Sequence, residues 1–143
     1  MWWDGDIYGT YAAYENSLSR FTREQRLALA LLWYEAEVSN GGHHQFFYNG
    51  TGIVWEDALE ASKAIGAAET QSILEEAAKR VGGSPSFDRE ERWEQLDQNE
   101  KGFVDLDDRF GEGANDLRPK LIQYMKDNRA AFHFDGTVRK PQS

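Results

Sequence analysis

The chain has 143 residues, of which 16 are Lys or Arg and 25 are Asp or Glu, and its formal net charge is −9. The length predicts one domain, and the 5 Trp, 6 Tyr and 8 Phe are too many aromatic residues for an intrinsically disordered chain. The absence of Cys excludes disulfides, thiolate metal sites and Cys nucleophiles, and the negative charge argues against general nucleic-acid binding.

The first strong helix signal begins at Thr22, which forms a capping box with Gln25 three residues later. An apolar stripe at helical spacing follows and predicts a central helix that is buried on most sides. Asn40-Gly41-Gly42 is expected to end this helix, because these residues tolerate a left-handed backbone. A short aromatic segment then runs from 43 to 49.

The remaining segments also show helical periodicity, and no alternation of apolar and polar residues indicates a sheet. We therefore predict an all-α fold, a compact single-domain bundle of about six or seven helices. Neither a membrane span nor a secretory signal is apparent in the sequence, so a cytoplasmic protein is expected. Further helices are predicted at about 54–65, 69–81 and 88–99, with a short acidic segment at 102–113 and a last helix that Asn115 or Asp116 could cap.

The negative charge is concentrated in two stretches of the chain. Residues 27–78 and 88–116 each carry a net charge of −7, whereas residues 117–143 carry +4. In the second stretch a carboxylate recurs at every third residue, which on a helix gives a shallow spiral rising about 4.5 Å per step. Phosphates of one DNA strand recur at about 3.4 Å along the axis, so the spiral could imitate a duplex edge. These acids are Asp88, Glu91, Glu94, Asp97 and Glu100.

Two other interpretations of the same acids stay open. The spiral could simply be a solvated helix face, partly neutralised by Arg89 and Arg92. The run 97–108 also resembles a calcium-binding EF-hand loop, although Lys101 occupies a position that should hold a ligand. The positions that fit the EF-hand pattern are Asp97, Asn99, Gly102, Asp105 and Asp108.

Other signs of chemistry are weak. The adjacent His43 and His44 lack the spacing of a zinc-binding helix and are interpreted as ordinary core or surface histidines. No Ser or Thr lies in a nucleophile-elbow context, and no glycine-rich segment has the flanking strand and lysine of a phosphate-binding loop. We therefore predict no catalytic residues, no metal, no cofactor and no enzymatic activity.

A motif around the end of the central helix resembles a bacterial family named after a DNA-mimic protein. The motif begins with an acidic helix that contains a Trp, and Asn-Gly-Gly follows this helix. A variable pair of residues comes next, and then a Gln and a run of aromatic residues that ends at Asn. A second block, Leu106-Asp107-Asp108-Arg109-Phe110, supports the resemblance, which covers roughly residues 20 to 134. We interpret the motif as structural, with Phe46, Phe47 and Tyr48 packing in the core. Its residues are Asn40, Gly41, Gly42, Gln45, Phe46, Phe47 and Asn49.

The resemblance implies a helical protein, dimeric in the family's namesake, whose carboxylates imitate duplex phosphates on the DNA-binding face of a transcription regulator. On this basis we divide the chain into an N-terminal helical extension (1–20), a DNA-mimic-family-like helical domain (21–134) and a flexible tail (135–143). The partner would be a basic DNA-binding protein such as a helix-turn-helix regulator. The chain itself would not bind nucleic acid directly, and it could form a homodimer.

The leading functional hypothesis is thus an acidic decoy that competes with DNA for this regulator. One alternative is an acidic interaction or immunity-type module that neutralises a specific protein without imitating DNA, and another is a small calcium-binding protein. The acids expected to bind the partner are Asp88, Glu91, Glu94, Asp97, Glu100, Asp105, Asp107 and Asp108, with Glu56, Asp57 and Glu60 as a second cluster.

Overall fold

The computed structural model describes residues 11–113 and 117–132, and within these ranges the fold is all-α with no β-strand. The predicted bundle of six or seven helices is confirmed. None of the described helices has both the length and the hydropathy needed to cross a membrane. The helices are α1 (Tyr11–Ser17), α2 (Arg23–Tyr48), α3 (Trp55–Ala64), α4 (Ala68–Arg80), α5 (Arg89–Asp97), α6 (Val104–Gly113) and α7 (Leu117–Asp127), with 3-10 turns at Gly50–Val54 and Arg129–Phe132.

Helix α2 is the centre of the bundle, and its start is the predicted capping box. The Thr22 hydroxyl accepts from the Gln25 amide at 3.1 Å, and the Gln25 side chain accepts from the Thr22 amide at 2.9 Å. Leu31 and Tyr34 are fully buried. The other helices cover α2 because its apolar residues point in several directions, as the broad stripe predicted.

The predicted end of this helix at Gly42 is instead a kink. Gly42 adopts φ +81° and ψ −179°, which interrupts the helix, but helical structure resumes and continues to Tyr48. The predicted break is therefore present at Gly42, and the aromatic residues after it form a second helical segment that the sequence analysis did not specify as helical. A glycine in this backbone region redirects the chain without preventing the next turn from forming.

The resumed turn buries two of its three aromatic rings. Phe46 and Phe47 are fully buried, whereas Tyr48 is 45% exposed, so the prediction that Tyr48 packs in the core was wrong. His43 is buried and His44 is exposed, because successive residues of a helix point in different directions. The kink thus directs His43 and the two Phe rings inward and leaves His44 and Tyr48 on the surface.

The remaining helices are close to their predicted positions. The predicted stops after α3 and α4 coincide with Gly66 at φ +76° and Gly82 at φ +69°. The Trp55 indole of α3 donates to the Pro85 carbonyl at 3.0 Å, which ties the start of α3 to the turn before α5. Residues 1–10, the expected cap of α7 at 115 or 116, and the tail 135–143 lie outside the described residues.

Candidate acidic interface on helix α5

Helix α5 begins at an acidic cap. The Asp88 side chain accepts from the Glu91 amide at 2.9 Å, which satisfies an amide that the helix itself leaves free. Within the helix only Arg92 and Leu96 are buried. Since these two residues are four apart, they define the face of α5 that packs on the bundle.

Arg92 places a cation inside the protein. Its side chain is 1% exposed and donates to the carbonyl oxygens of Phe47 at 2.6 Å, Asn49 at 2.9 Å and Ser86 at 2.9 Å. Burial lowers the pKa of Arg92 to about 10, so the guanidinium is still charged at neutral pH. The Phe47 and Asn49 carbonyls lie at the end of α2, where a helix leaves acceptors free and favours positive charge, and the Ser86 carbonyl lies in the turn before α5.

Two other side chains of α5 turn toward the same end of α2. The Arg89 guanidinium donates to the Tyr48 carbonyl at 3.0 Å, and the Trp93 indole donates to the same oxygen at 2.8 Å. Both arginines of α5 are therefore held by backbone carbonyls of the bundle and not by the carboxylates of their own helix. The positive charges of both arginines stay close to these acids, but in the described residues neither forms an ion pair with a carboxylate of α5.

All the exposed residues of α5 are acidic. Glu90, Glu94 and Asp97 are exposed, and in the described part of the chain their side chains make no hydrogen bond or ion pair. They follow one another at steps of four and three residues, or about 6 and 4.5 Å along the axis, and therefore form one stripe. We call Glu90, Glu94 and Asp97 the α5 acidic face.

Sequence reasoning missed Glu90 because it does not fit the every-third-residue pattern. The four-three spacing relative to Glu94 and Asp97 was visible in the sequence, and it is the spacing that keeps residues on one side of a helix. Asp88, Glu91 and Glu100 are also exposed and flank this face. Glu91 accepts from the Ser86 hydroxyl at 3.0 Å, while Glu100 lies beyond the end of α5 and does not continue a helical spiral.

The three acids predicted on α6 have three different environments. Asp105 is exposed but receives two hydrogen bonds from Arg80, at 2.7 and 2.8 Å, which lower the pKa of its carboxyl group. Asp107 turns inward to His43. Asp108 is exposed and, within the described ranges, makes no side-chain hydrogen bond or ion pair.

Asp107 belongs to a polar network that the sequence did not reveal. Its Oδ1 accepts from the His43 amide at 2.9 Å and lies 2.6 Å from His43 Nδ1. The opposite ring nitrogen, Nε2, lies 2.7 Å from the hydroxyl of Tyr34, which is fully buried. This carboxylate–imidazole–phenol chain resembles a catalytic relay in its order, but its last hydroxyl is sealed in the core and no substrate can reach it. We interpret the network as a brace between the kink of α2 and helix α6.

The second predicted cluster, on α3, is divided by the fold. Glu56 and Glu60 are exposed, but Asp57 is 8% exposed and accepts from the Tyr14 hydroxyl at 2.7 Å and from Arg26 Nε at 2.8 Å. Asp57 therefore acts as a buried hydrogen-bond partner. Burial raises the pKa of Tyr14, and the Asp57 carboxylate raises it further. It offers little to a partner at the surface.

Glu60 lies far from the α5 acidic face. It pairs with Arg23 at 2.8 Å, at the start of α2. Helix α5 instead contacts residues 47–49. The Asn49 side-chain amide donates to the Glu37 carboxylate at 3.3 Å, so α5 lies near the Glu37 end of the straight part of α2. Arg23 and Glu37 are separated by about 21 Å along the straight part of α2. The two acidic stretches of the sequence thus do not merge into one patch at Glu60.

The EF-hand interpretation gains no support from the structure. The second half of the 97–108 run is the beginning of α6, and Asp105 is already engaged by Arg80. Across residues 11–113 and 117–132, no three His, Asp or Glu side chains are close enough together to hold a metal ion. A calcium loop needs oxygen ligands that converge on one point, which this helical arrangement does not provide.

A family model described as DMP19-like protein matches residues 19–128. The chain belongs to the DMP19-like family of DNA-mimic proteins. No curated protein and no solved structure matches the chain significantly. The match includes α2 with its Asn-Gly-Gly segment and all of α5 and α6.

The DMP19-like motif of this chain surrounds the kink of α2. Gln45 donates from its side-chain amide to the Glu37 carboxylate at 2.7 Å, and Asn49 donates to the same oxygen. These two bonds connect the turn after Gly42 with the straight helix before it. Asn40 and Gly41 are exposed on the outside of the kink.

Replacement of Arg92 is expected to destabilise the fold strongly. Arg92→Met would remove the side-chain donor from the buried Phe47 carbonyl and one of the two donors to the Asn49 carbonyl, at a cost of roughly 3 kcal/mol. Arg92→Lys should lose less because it keeps the charge. Urea unfolding measures both values. The control Arg20→Met removes an exposed arginine without a described side-chain partner and should change stability by less than about 0.5 kcal/mol. Equal loss in the Arg92 and Arg20 variants would contradict the assigned role of Arg92.

We expect the free energy of unfolding to decrease as the pH is lowered, because of His43. Burial lowers the pKa of His43, and this effect outweighs the opposing influence of Asp107. The unfolded chain therefore binds the proton first. The contribution of His43 is complete above about pH 6.5 and is lost as the pH falls from there through the lower folded pKa, at up to about 1.4 kcal/mol per pH unit.

The matched control for this prediction is the neighbouring histidine. Urea unfolding between pH 7.5 and 5.5 should show a weaker pH dependence in His43→Gln than in the unmodified chain, while the exposed His44→Gln variant should keep the original dependence. Arg80 and Asp105 also influence His43, so both must be left unchanged in these variants. An unaltered slope in His43→Gln would show that other groups cause the acid sensitivity.

Proposed function

We propose that this DMP19-like protein is a non-enzymatic decoy that binds the basic DNA-binding face of a regulator and competes with DNA. One observation carries the proposal: Arg92 is buried and Arg89 is held by the Tyr48 carbonyl, whereas Glu90, Glu94 and Asp97 are exposed and make no ion pair in the described part of the chain. A row of unpaired carboxylates attracts a basic protein at long range and repels nucleic acid.

The proposed interface is centred on the α5 acidic face and is narrower than the set of acids predicted from the sequence. Asp88, Glu91 and Glu100 extend it because they are exposed on or beside α5. Asp108 could contribute from α6, where it is exposed and lacks a described partner. Asp57 and Asp107 are excluded, since their carboxylates are engaged by Tyr14 with Arg26 and by His43. The partner we envisage is cytoplasmic, with a helix-turn-helix or similar basic domain.

Competition with DNA is the direct test. The tagged full chain captures its partner from a lysate, the partner is identified and purified, and duplex DNA containing the partner's own binding site is then added to the complex. Displacement of the decoy by duplex at stoichiometric concentration is expected, together with steep weakening of the complex between 50 and 200 mM salt. A complex that excess duplex does not displace would overturn the proposal in favour of an immunity-type module that neutralises one protein without imitating DNA.

A further inference from the structure

An exposed stack of aromatic rings lies where α5 meets the end of α2. His44 and Tyr48 are four residues apart on the turn that follows the kink, and their ring centroids are 5.8 Å apart with planes inclined by 19°. Tyr48 continues the stack onto Trp93 of α5, at 5.0 Å and 18°. His44 is exposed and Tyr48 is 45% exposed, so the rings are open to solvent along one side. We call His44, Tyr48 and Trp93 the aromatic ladder.

The aromatic ladder borders the α5 acidic face. Trp93 follows Glu90 by three residues and precedes Asp97 by four, and residues at these spacings are neighbours on a helix surface. Two of the three unpaired carboxylates therefore lie beside a ring of the ladder. Phosphate imitation requires negative charge only, and it does not explain why exposed aromatic rings are placed next to that charge.

The ladder already binds one guanidinium group. Arg89 lies with its Cζ atom 5.1 Å from the Trp93 ring centroid and 5.9 Å from that of Tyr48. These distances are within the range of a cation–π interaction. The chemistry of the rings is therefore suited to arginine, and the exposed His44 at the other end of the ladder is open to a second cation from outside.

We propose that the aromatic ladder is the anchor for an arginine of the protein partner, whose guanidinium stacks on His44 at the open end of the ladder while the α5 acidic face holds neighbouring basic side chains. This inference rests on the proposed function, because it assumes a basic partner at the same face. Charge complementarity selects a basic protein segment over a nucleic acid, whose phosphates the carboxylates repel. Arginine is favoured over lysine because its planar guanidinium stacks on aromatic faces and is more weakly hydrated. The ladder supplies binding that persists when salt screens the carboxylates.

The test compares two peptides of equal charge. The isotope-labelled full chain is titrated with hexa-arginine and with hexa-lysine, both capped at their ends, at 20 and 150 mM NaCl, and binding is followed by NMR. We expect hexa-arginine to bind about two- to fivefold more tightly, with the largest shifts at the Tyr48 amide and the Trp93 indole. The difference should persist at 150 mM NaCl, where the shared charge attraction is weaker.

Variants separate the ladder from the charge. Tyr48→Leu keeps apolar bulk at an exposed position but removes the ring that His44 stacks on, so it should bind the two peptides equally. Tyr124→Leu, in α7, should keep the preference for arginine. Equal binding of the peptides by the unmodified chain, or an unchanged preference in Tyr48→Leu, would overturn the inference. Shifts at the ladder on addition of a single-stranded oligonucleotide instead of hexa-arginine would also overturn it.

Failure of the inference and failure of the proposed function give different results. In one outcome, neutralising Glu90, Glu94 and Asp97 abolishes binding of both peptides, but Tyr48→Leu still binds hexa-arginine more tightly than hexa-lysine, as the unmodified chain does. Only the inference then fails. If the neutralised chain binds both peptides as tightly as the unmodified chain, the acidic face is not the binding surface, and both proposals fail.

Discussion

The triple variant Glu90→Gln, Glu94→Gln, Asp97→Asn is expected to capture its basic partner about tenfold more slowly at 50 mM NaCl, with a smaller difference at 200 mM NaCl. The three carboxylates are exposed and lack described partners, so they act on a partner through their unshielded charge. Their removal should change the unfolding free energy by no more than about 0.5 kcal/mol. Surface plasmon resonance with the purified partner measures the association rate, and urea unfolding measures stability.

A control with the same change in charge tests whether position matters. Glu24→Gln, Glu75→Gln, Asp127→Asn also removes three negative charges from the total of −9, but from α2, α4 and α7. This control should reduce the association rate much less than the α5 variant does, because the attraction depends on a focused acidic surface. Equal slowing by both variants would mean that net charge alone attracts the partner, and the α5 acidic face would lose its special role.

Gly42→Ala is expected to destabilise the fold by about 3 kcal/mol or more. The backbone at φ +81° and ψ −179° lies in a region that is essentially restricted to glycine. A Cβ added there would lie 2.5 Å from the Asp107 Oδ2 atom, so the carboxylate would have to move away from His43. The substitution therefore strains the kink and also disrupts the brace between α2 and α6. Urea unfolding followed by circular dichroism gives the change.

Two other glycines serve as comparisons for this prediction. Gly66 has φ +76° but no atom within 4 Å of an added Cβ, so Gly66→Ala should cost only the backbone strain, about 1–2 kcal/mol. Gly111 lies in α6 without positive φ or close neighbours, and Gly111→Ala should stabilise the fold by up to about 1 kcal/mol. If Gly42→Ala proved no more harmful than Gly66→Ala, the contact with Asp107 would not matter to stability.

Local sequence patterns were sufficient to predict where the helices lie. The capping box at Thr22 and the stops near Gly66 and Gly82 depend on residues within a turn of each other, and the structure has them where the sequence predicts them. The kink at Gly42 shows the limit of such reasoning. The same glycine signal marks a helix end or a redirected helix, and only packing of the next turn, with Phe46 and Phe47 buried, selects the second outcome.

The composition and order of residues by themselves determined an all-α chain of the DMP19-like family with a large acid surplus concentrated in two stretches. Only the tertiary structure decided which charged side chains are exposed to a partner. Arg92 reaches the Phe47 carbonyl 45 residues away, and Asp57 receives Tyr14 from 43 residues away. A charge is hidden or exposed according to such long-range partners, because burial and hydrogen bonding depend on elements that are distant in the chain. For this reason the sequence supplied the negative charge, and the fold buried Arg92, bound Arg89 to the Tyr48 carbonyl and left the carboxylates of α5 facing solvent.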